Sequence, residues 1–375
     1  MPSWRHSLEI IPAVGDADRL RTELLVIGLF SSGPLSGSAR RLDDATAGRL
    51  SRVVARGELD ETPGATLLLH HLPGSAAART LLVSLGRREA FSDRAYWRAL
   101  AATAKVITEN VVSEAVVTLA ENEVPRRSLS WRVQQAGQHL ADGSYNFFLP
   151  GPNARGQRAR GRPMRSIMLL LPETLTSELV LALRQGIAVA EGVALAKDLG
   201  NLPGSICTPD FLAKTARDMG KEFGFAVEVL ERRELEALGM GAFLQAGSGS
   251  ANPCKLIVMQ PHGRKGSGKP IVLVGKGVTC DGERPSQAPG SDALGMKFSM
   301  SGAGSVLGVL RTVARLGLPL NVVGLIAAAE NIPGGHGGRP GAVVTSMSGQ
   351  TIELRPHDGE GRLLLCDVLT YAERF

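Results

Sequence analysis

"IVLVGKGVTCD", residues 271–281, opens as an apolar strand and closes on two charged side chains. Ile, Val, Leu and Val in succession are what a strand buried on both faces uses. Lys276 and Asp281 then stand where the apolar run is expected to give way to a loop. Open α/β sheets carry their ligand sites at the carboxyl ends of strands, so chemistry is expected at this junction. Far downstream, "HDGEGR" (357–362) supplies Asp358, Glu360 and Arg362 at the mouth of a last helix. Three carboxylates and one lysine could form a hard, oxygen-rich cation site. The lysine joins such a set as a ligand only as a neutral amine. Taken alone, the D-x-E-x-R triplet is more often a solvated helix start, and Gly275, Gly277, Gly359 and Gly361 more often serve turns.

Outward from that stretch, short apolar runs alternate with helical spacing. Strands are expected at 22–30, 65–72, 79–86, 114–120 and 165–172, with helices between them, which predicts an α/β layer with parallel pairs. A long helix opens near Thr176 or Ser177 as N-cap, and the domain boundary is placed close to it, giving 1–173 and 174–375. The second part alternates again: helix from 209, strand from 225, helix from 232, strands at 254–260 and 270–277, helix from 305, strand at 320–330 and helix to the end. The last helix reaches Phe375 without a stop signal, as a domain ending in mid-pattern would.

At 375 residues, two domains are the default. Hydrophobic residues at 43% suffice for a buried core, and aromatics at 4% leave Leu, Val and Ala to fill it. Cys207, Cys254, Cys280 and Cys366 form no CxxC pair, which fits reduced thiols and a cytoplasmic location better than disulfides or a cysteine zinc site. The N-terminus has no signal-peptide pattern, and no uninterrupted apolar run reaches membrane-spanning length, so no membrane association is expected. The net charge of +6 is concentrated in "PNARGQRARGRPMR" (152–165), with Arg155, Arg158, Arg160, Arg162 and Arg165 and no acid. Such a run is more often a solvated loop than a nucleic-acid contact.

The combination is more specific than its parts. "DLGNLPGSICTP" (198–209), "VGKGVTCD" (274–281), "NVVGLIAAAENIP" (321–333), "TSMSGQTIE" (345–353) and "DGEGRLLLCDVLTYAERF" (358–375) occur in order. Together they resemble the leucyl aminopeptidase (cytosol aminopeptidase) family of metallo-exopeptidases, clearly over 176–375 and loosely before. The resemblance implies two α/β domains: an N-terminal macro-like domain that helps assemble a hexamer, and a catalytic domain with a mixed central sheet. It also implies two bridged divalent metals, zinc, manganese or magnesium, that release N-terminal residues from peptide substrates. Two-metal chemistry of this kind activates a water and stabilises the oxyanion. Carried over by position, the metal ligands are Lys276, Asp281, Asp358 and Glu360 with one further aspartate, and Arg362 positions the proton-transfer machinery. A non-ligand lysine polarises the substrate carbonyl.

The departures from the family pattern fall on the same machinery. After the strand the family runs approximately T-F-D-S-G-G, then a serine and Lys-Pro, then M-K-Y-D-M-G-G. Here Cys280, Gly282, Glu283 and Arg284 replace most of the first block, while Pro289, Met296, Lys297 and Met300 hold the register. In that register the electrophilic lysine is Ala288 and the extra metal aspartate is Ser299. A hydroxyl replaces an anionic ligand poorly, and losing a preorganised cation beside an oxyanion commonly costs about 10²–10³ in rate. Asp292 and Glu283 are possible substitute ligands; His336 reads as an exposed loop residue, and Ala342 stands where the family has an aspartate. The family continues well past the equivalent of Phe375 with substrate-pocket residues and further sheet elements. One divalent ion or fewer, manganese or zinc, is therefore expected to bind tightly, on an aminopeptidase scaffold of impaired activity. The competing readings are a non-catalytic assembly homologue, in effect a pseudoenzyme, and a DNA-binding protein, for which only the Arg-rich run speaks.

Overall fold

A computed structural model describes residues 8–35, 37–110, 112–147, 165–261, 268–281, 293–332, 341–354 and 360–375. The chain divides into two compact units between Ala190 and Glu191.

The first unit is built on six strands: β1 (Glu9–Val14), β2 (Leu24–Phe30), β3 (Thr66–His70), β4 (Arg79–Gly86), β5 (Glu114–Val117) and β6 (Ser166–Leu171). Their order is β1-β6-β5-β2-β4-β3, all neighbours parallel except the antiparallel pair β3–β4 at one edge. Alternation along β2 explains why the sheet is covered twice. Leu24, Val26 and Phe30 enter one core with Tyr96, Leu100, Val133 and Leu140 of the helices Asp93–Glu109 and Leu129–Gly143. Leu25, Ile27 and Leu29 enter the other with Leu42, Leu50 and Val53 of the helices Gly37–Ala45 and Arg49–Ala55. Every residue of β2 is buried, so no polar alternation could mark it in the sequence. β1 is not anticipated by the sequence reading. Its Pro12 interrupts the apolar run, and β1 tolerates a proline because it lies at the sheet edge.

The second unit has a mixed sheet of β7 (Ala226–Leu230), β8 (Lys255–Gln260), β9 (Ile271–Asp281) and β10 (Val322–Asn331), in the order β7-β8-β10-β9. Only β9 and β10 are parallel; the other pairs are antiparallel. One face packs Leu256, Val258, Leu325 and Ala327 against Phe243, Leu364, Val368 and Tyr371, the last three from the helix Glu360–Ala372. Against the other face lies the helix Ser301–Leu316, whose Leu310 and Val306 sit over Gly324 of β10. A hairpin of β11 (Val343–Thr345) and β12 (Thr351–Glu353) follows; the sequence reading does not assign it as strands. The two-domain α/β reading with a mixed second sheet is what the chain adopts.

The helix Ser177–Asn201 starts as expected, with Leu179 N–H donating to the Thr176 hydroxyl at 3.3 Å. It is long and apolar enough to cross a membrane by length and composition, with a mean hydropathy of 1.6 over its most apolar stretch. The sequence reading overlooks this because Arg184 and Glu191 break the run. In the structure Leu183 lies against Gly137, and Glu191 is within ion-pair distance of Arg311 and Arg315. These are packing roles of a core helix.

Candidate metal-site corner

Lys276 and Asp281 do not sit beyond a strand; both belong to β9, which runs to Asp281. The expectation of a loop after Gly277 is corrected by the partner strand. β10 continues to Asn331 and keeps β9 paired, with Lys276 opposite Ala327 and Asp281 opposite Asn331. The pairing shifts register between Ala329 and Glu330, which face Val278 and Cys280. A bulge of this kind bends a strand and changes its alternation by one residue, so positions 276 and 281, five apart, come into the same phase.

The Lys276 side chain is half-buried and donates from Nζ to the Ser299 Oγ at 2.9 Å. Ser299 is carried by a 3₁₀ turn, Ala293–Met300, that leads directly into the helix Ser301–Leu316. The approach of that turn to β9 is set by two glycines. A Cβ on Gly275 would lie 2.7 Å from the Gly302 carbonyl oxygen, and one on Gly302 would lie 2.8 Å from the Lys276 nitrogen. Backbone meets backbone here because neither residue has a side chain.

Gly361 closes the other side of the lysine. A Cβ there would stand 2.6 Å from Lys276 Cε and 2.9 Å from its Nζ. The first turn of the last helix therefore rests on the lysine stem, and position 360, the first residue of that helix, is brought to the same corner. An acidic residue in a first turn also faces the positive end of the helix dipole. Arg362, one residue further along, is exposed.

The structure thus brings together Lys276, Ser299 and the start of the Glu360–Ala372 helix. The backbones of Asp281 and Glu360 are described, their side chains are not. Asp358, Ala288, Glu283, Asp292 and His336 lie outside the described residues, as does the Arg-rich run 152–164; Ala342 precedes β11. Among the described residues no three His, Cys, Asp or Glu side chains converge as a metal group would require.

Two polar features of this unit escape the sequence reading. Glu330 is buried at the end of β10 and accepts from the Ser250 hydroxyl at 2.6 Å and the Asn252 amide at 2.9 Å. Asp367, fully buried, accepts from the backbone N–H groups of Phe243 and Met347, each at 2.8 Å. It thereby ties the last helix to the start of the helix Gly241–Ala246 and to the β11–β12 turn. An acid inside an otherwise apolar helical run, "LLLCDVL", was the signal for Asp367. Glu330 carries none beyond its place after an apolar strand.

The donor set at this corner decides what it can hold. A divalent ion is retained by anionic oxygens or by amines whose lone pair is directed at it. Here the position expected to carry an aspartate offers a neutral hydroxyl, and that hydroxyl already accepts from the lysine amine. The Lys276–Ser299 side does not fit the second metal of a bridged pair.

Comparison with known proteins bears on the whole chain. Residues 194–375 match the catalytic domain, and residues 26–148 the N-terminal domain, of the cytosol aminopeptidase family. A probable cytosol aminopeptidase of Azoarcus sp. (strain BH72) is 52% identical over 96% of this chain and 71% of its own length. Another, from Aromatoleum aromaticum, is 46% identical over 98% of this chain and 73% of its own. Among solved structures, a tomato leucine aminopeptidase variant superposes with a TM-score of 0.83 at 25% identity, covering all of this chain and 73% of that one. The bottromycin maturation enzyme BotP in complex with Mn gives a TM-score of 0.76 at 27% identity, over 94% and 70% respectively. By its sequence and its fold, this chain belongs to the cytosol aminopeptidase family.

Proposed function

We propose that the chain carries the scaffold of a peptide-cleaving metallo-aminopeptidase, holds at most one divalent ion tightly, manganese or zinc, and is catalytically impaired. The observation that carries this reading is the Lys276 Nζ–Ser299 Oγ hydrogen bond at 2.9 Å. It occupies, with a neutral acceptor, the corner where a second metal would need an anion. The ion that remains is assigned to Asp281, Asp358 and Glu360, with Arg362 beside them and Ala288 in place of the carbonyl-polarising lysine. The cytoplasmic location and a homo-oligomer, a hexamer by the family's pattern, belong to the same reading, as does a boundary near residue 173.

The loss of an anionic ligand and of an electrophilic cation falls on groups that act as one unit, so the two effects do not simply multiply. The direct test is hydrolysis of a leucyl anilide by the purified chain with manganese present. The expected result is turnover several orders of magnitude below the roughly 1–10³ s⁻¹ of ordinary enzymes. Turnover inside that range would refute the impairment.

A further inference from the structure

At the β7 edge of the second sheet, opposite the β9 edge, lies an open cavity of about 520 Å³. Three elements build it. Successive side chains of a strand point to opposite faces, and β7 divides its residues in that way. Val227 lies against Gly220 of the helix Pro209–Phe223, while Glu228 and Leu230 line the cavity. The helix Arg232–Ala237 adds Glu234, whose carboxylate is fixed in place by accepting the Glu231 backbone N–H at 3.1 Å. The last helix adds Tyr371, and the turn after it adds Arg374 and Phe375. The Arg374 guanidinium is held over the Tyr371 ring, its carbon 4.3 Å from the ring centre, and Tyr371 meets Phe375 at 6.1 Å between centroids.

The cavity thus combines an apolar floor with charges of both signs. Leu230 and Tyr371 are buried, whereas Glu228, Glu234 and Arg374 are exposed. Its volume falls within the roughly 300–1,000 Å³ of small-ligand sites. A purely anionic ligand would meet two carboxylates, and a purely cationic one would meet the guanidinium. A molecule with an ammonium and a carboxylate on an apolar body answers all three features. We propose that this cavity binds a small zwitterion, an α-amino acid with an apolar side chain. Its ammonium faces Glu228 and Glu234, its carboxylate faces Arg374, and its side chain rests on Leu230, Tyr371 and Phe375. Hydrolysis at a peptide N-terminus releases molecules of this class, so the site would sense the product of the family's reaction away from the β9 corner.

The charged groups of the ligand can be removed one at a time, and so can those of the cavity. Leucine, leucinamide (ammonium only) and N-acetylleucine (carboxylate only) are titrated calorimetrically into the full-length chain with manganese present. The same titrations are made on Arg374→Gln and on Glu228→Gln with Glu234→Gln, with circular dichroism confirming that each variant is folded. Leucine is expected to bind wild type at millimolar concentration and to bind each variant about two- to fivefold more weakly, the scale of an exposed ion pair. Leucinamide is expected to lose affinity only in the double glutamine variant, and N-acetylleucine only in Arg374→Gln. If one variant does not fold, the pattern across the three ligands in the other decides. No leucine binding at millimolar concentration, or binding that neither variant changes, overturns the proposal. So does a variant that weakens all three ligands equally, because the charges would then not be paired as assigned.

Discussion

Two lysines flank the same strand and are treated in opposite ways. Lys255 of β8 lies opposite Ala328 of β10, and Lys276 of β9 lies opposite Ala327. Lys255 is 3% exposed, and its Nζ meets Asp210 at 3.0 Å and Glu231 at 2.8 Å. Burial works against its charged form, yet the hydrogen bonds and charges of Glu231 and Asp210 outweigh burial and raise its pKa above the ordinary lysine value. Lys276 is half-buried and donates to a hydroxyl. Lys255 is neutralised by two acids, one of which, Glu231, also caps the helix Arg232–Ala237, so the cluster serves the fold. The other lysine meets, among the described side chains, the neutral Ser299 hydroxyl.

The largest effect that could break this comparison lies at Lys255. Replacing both its acids, as Asp210→Asn with Glu231→Gln, leaves a buried ammonium without a counter-charge. Because both acids are more than half exposed, the expected cost is about 2 kcal/mol, read as a lowered urea midpoint at unchanged slope. A loss under about 1 kcal/mol would mean that water reaches Lys255, and the contrast with Lys276 would lose its basis.

A smaller effect sharpens the same point from the acidic side, in the first unit. Glu121 is a half-buried carboxylate that accepts from the Ser38 backbone N–H and hydroxyl at 2.9–3.1 Å, at the start of the helix Gly37–Ala45. Burial raises its pKa, against the lowering by the Ser38 hydrogen bonds and Arg41. A carboxyl whose folded-state pKa is raised holds its proton longer in the native chain than in the unfolded one. Its contribution to stability is full below the unfolded-state pKa and falls as pH rises from there through the folded-state value. Wild type is therefore expected to lose stability relative to Glu121→Gln across that window, measured as the difference between their urea midpoints from pH 4 upward. A difference that moves the other way would show that the hydrogen bonds outweigh burial.

The sequence made the architecture legible where period and composition agreed. The strands from Leu24 to Leu171 were readable as apolar runs, and Thr176 announced its helix as a cap. β1 was hidden by Pro12, and the β11–β12 hairpin by its three-residue strands. The reach of β9 to Asp281 was hidden because Thr279 and Cys280 look like a loop once β10 is not there to pair them. For the site, register alone proposed Ser299 in place of a metal aspartate, and the structure sets its hydroxyl against Lys276. What register could not convey was the closeness of Gly361 to the lysine stem, because a glycine's closeness to its neighbours depends on the fold and leaves no mark in its own sequence context.

The central claim is that Ser299 removes one of two metal positions. Metal content per chain, measured by mass spectrometry after manganese loading and exhaustive dialysis, tests it most directly in wild type and in Ser299→Asp. The account predicts one ion or fewer in wild type, with a gain in the aspartate variant as the anionic oxygen returns beside Lys276. Two tightly held ions in the wild-type chain would contradict it.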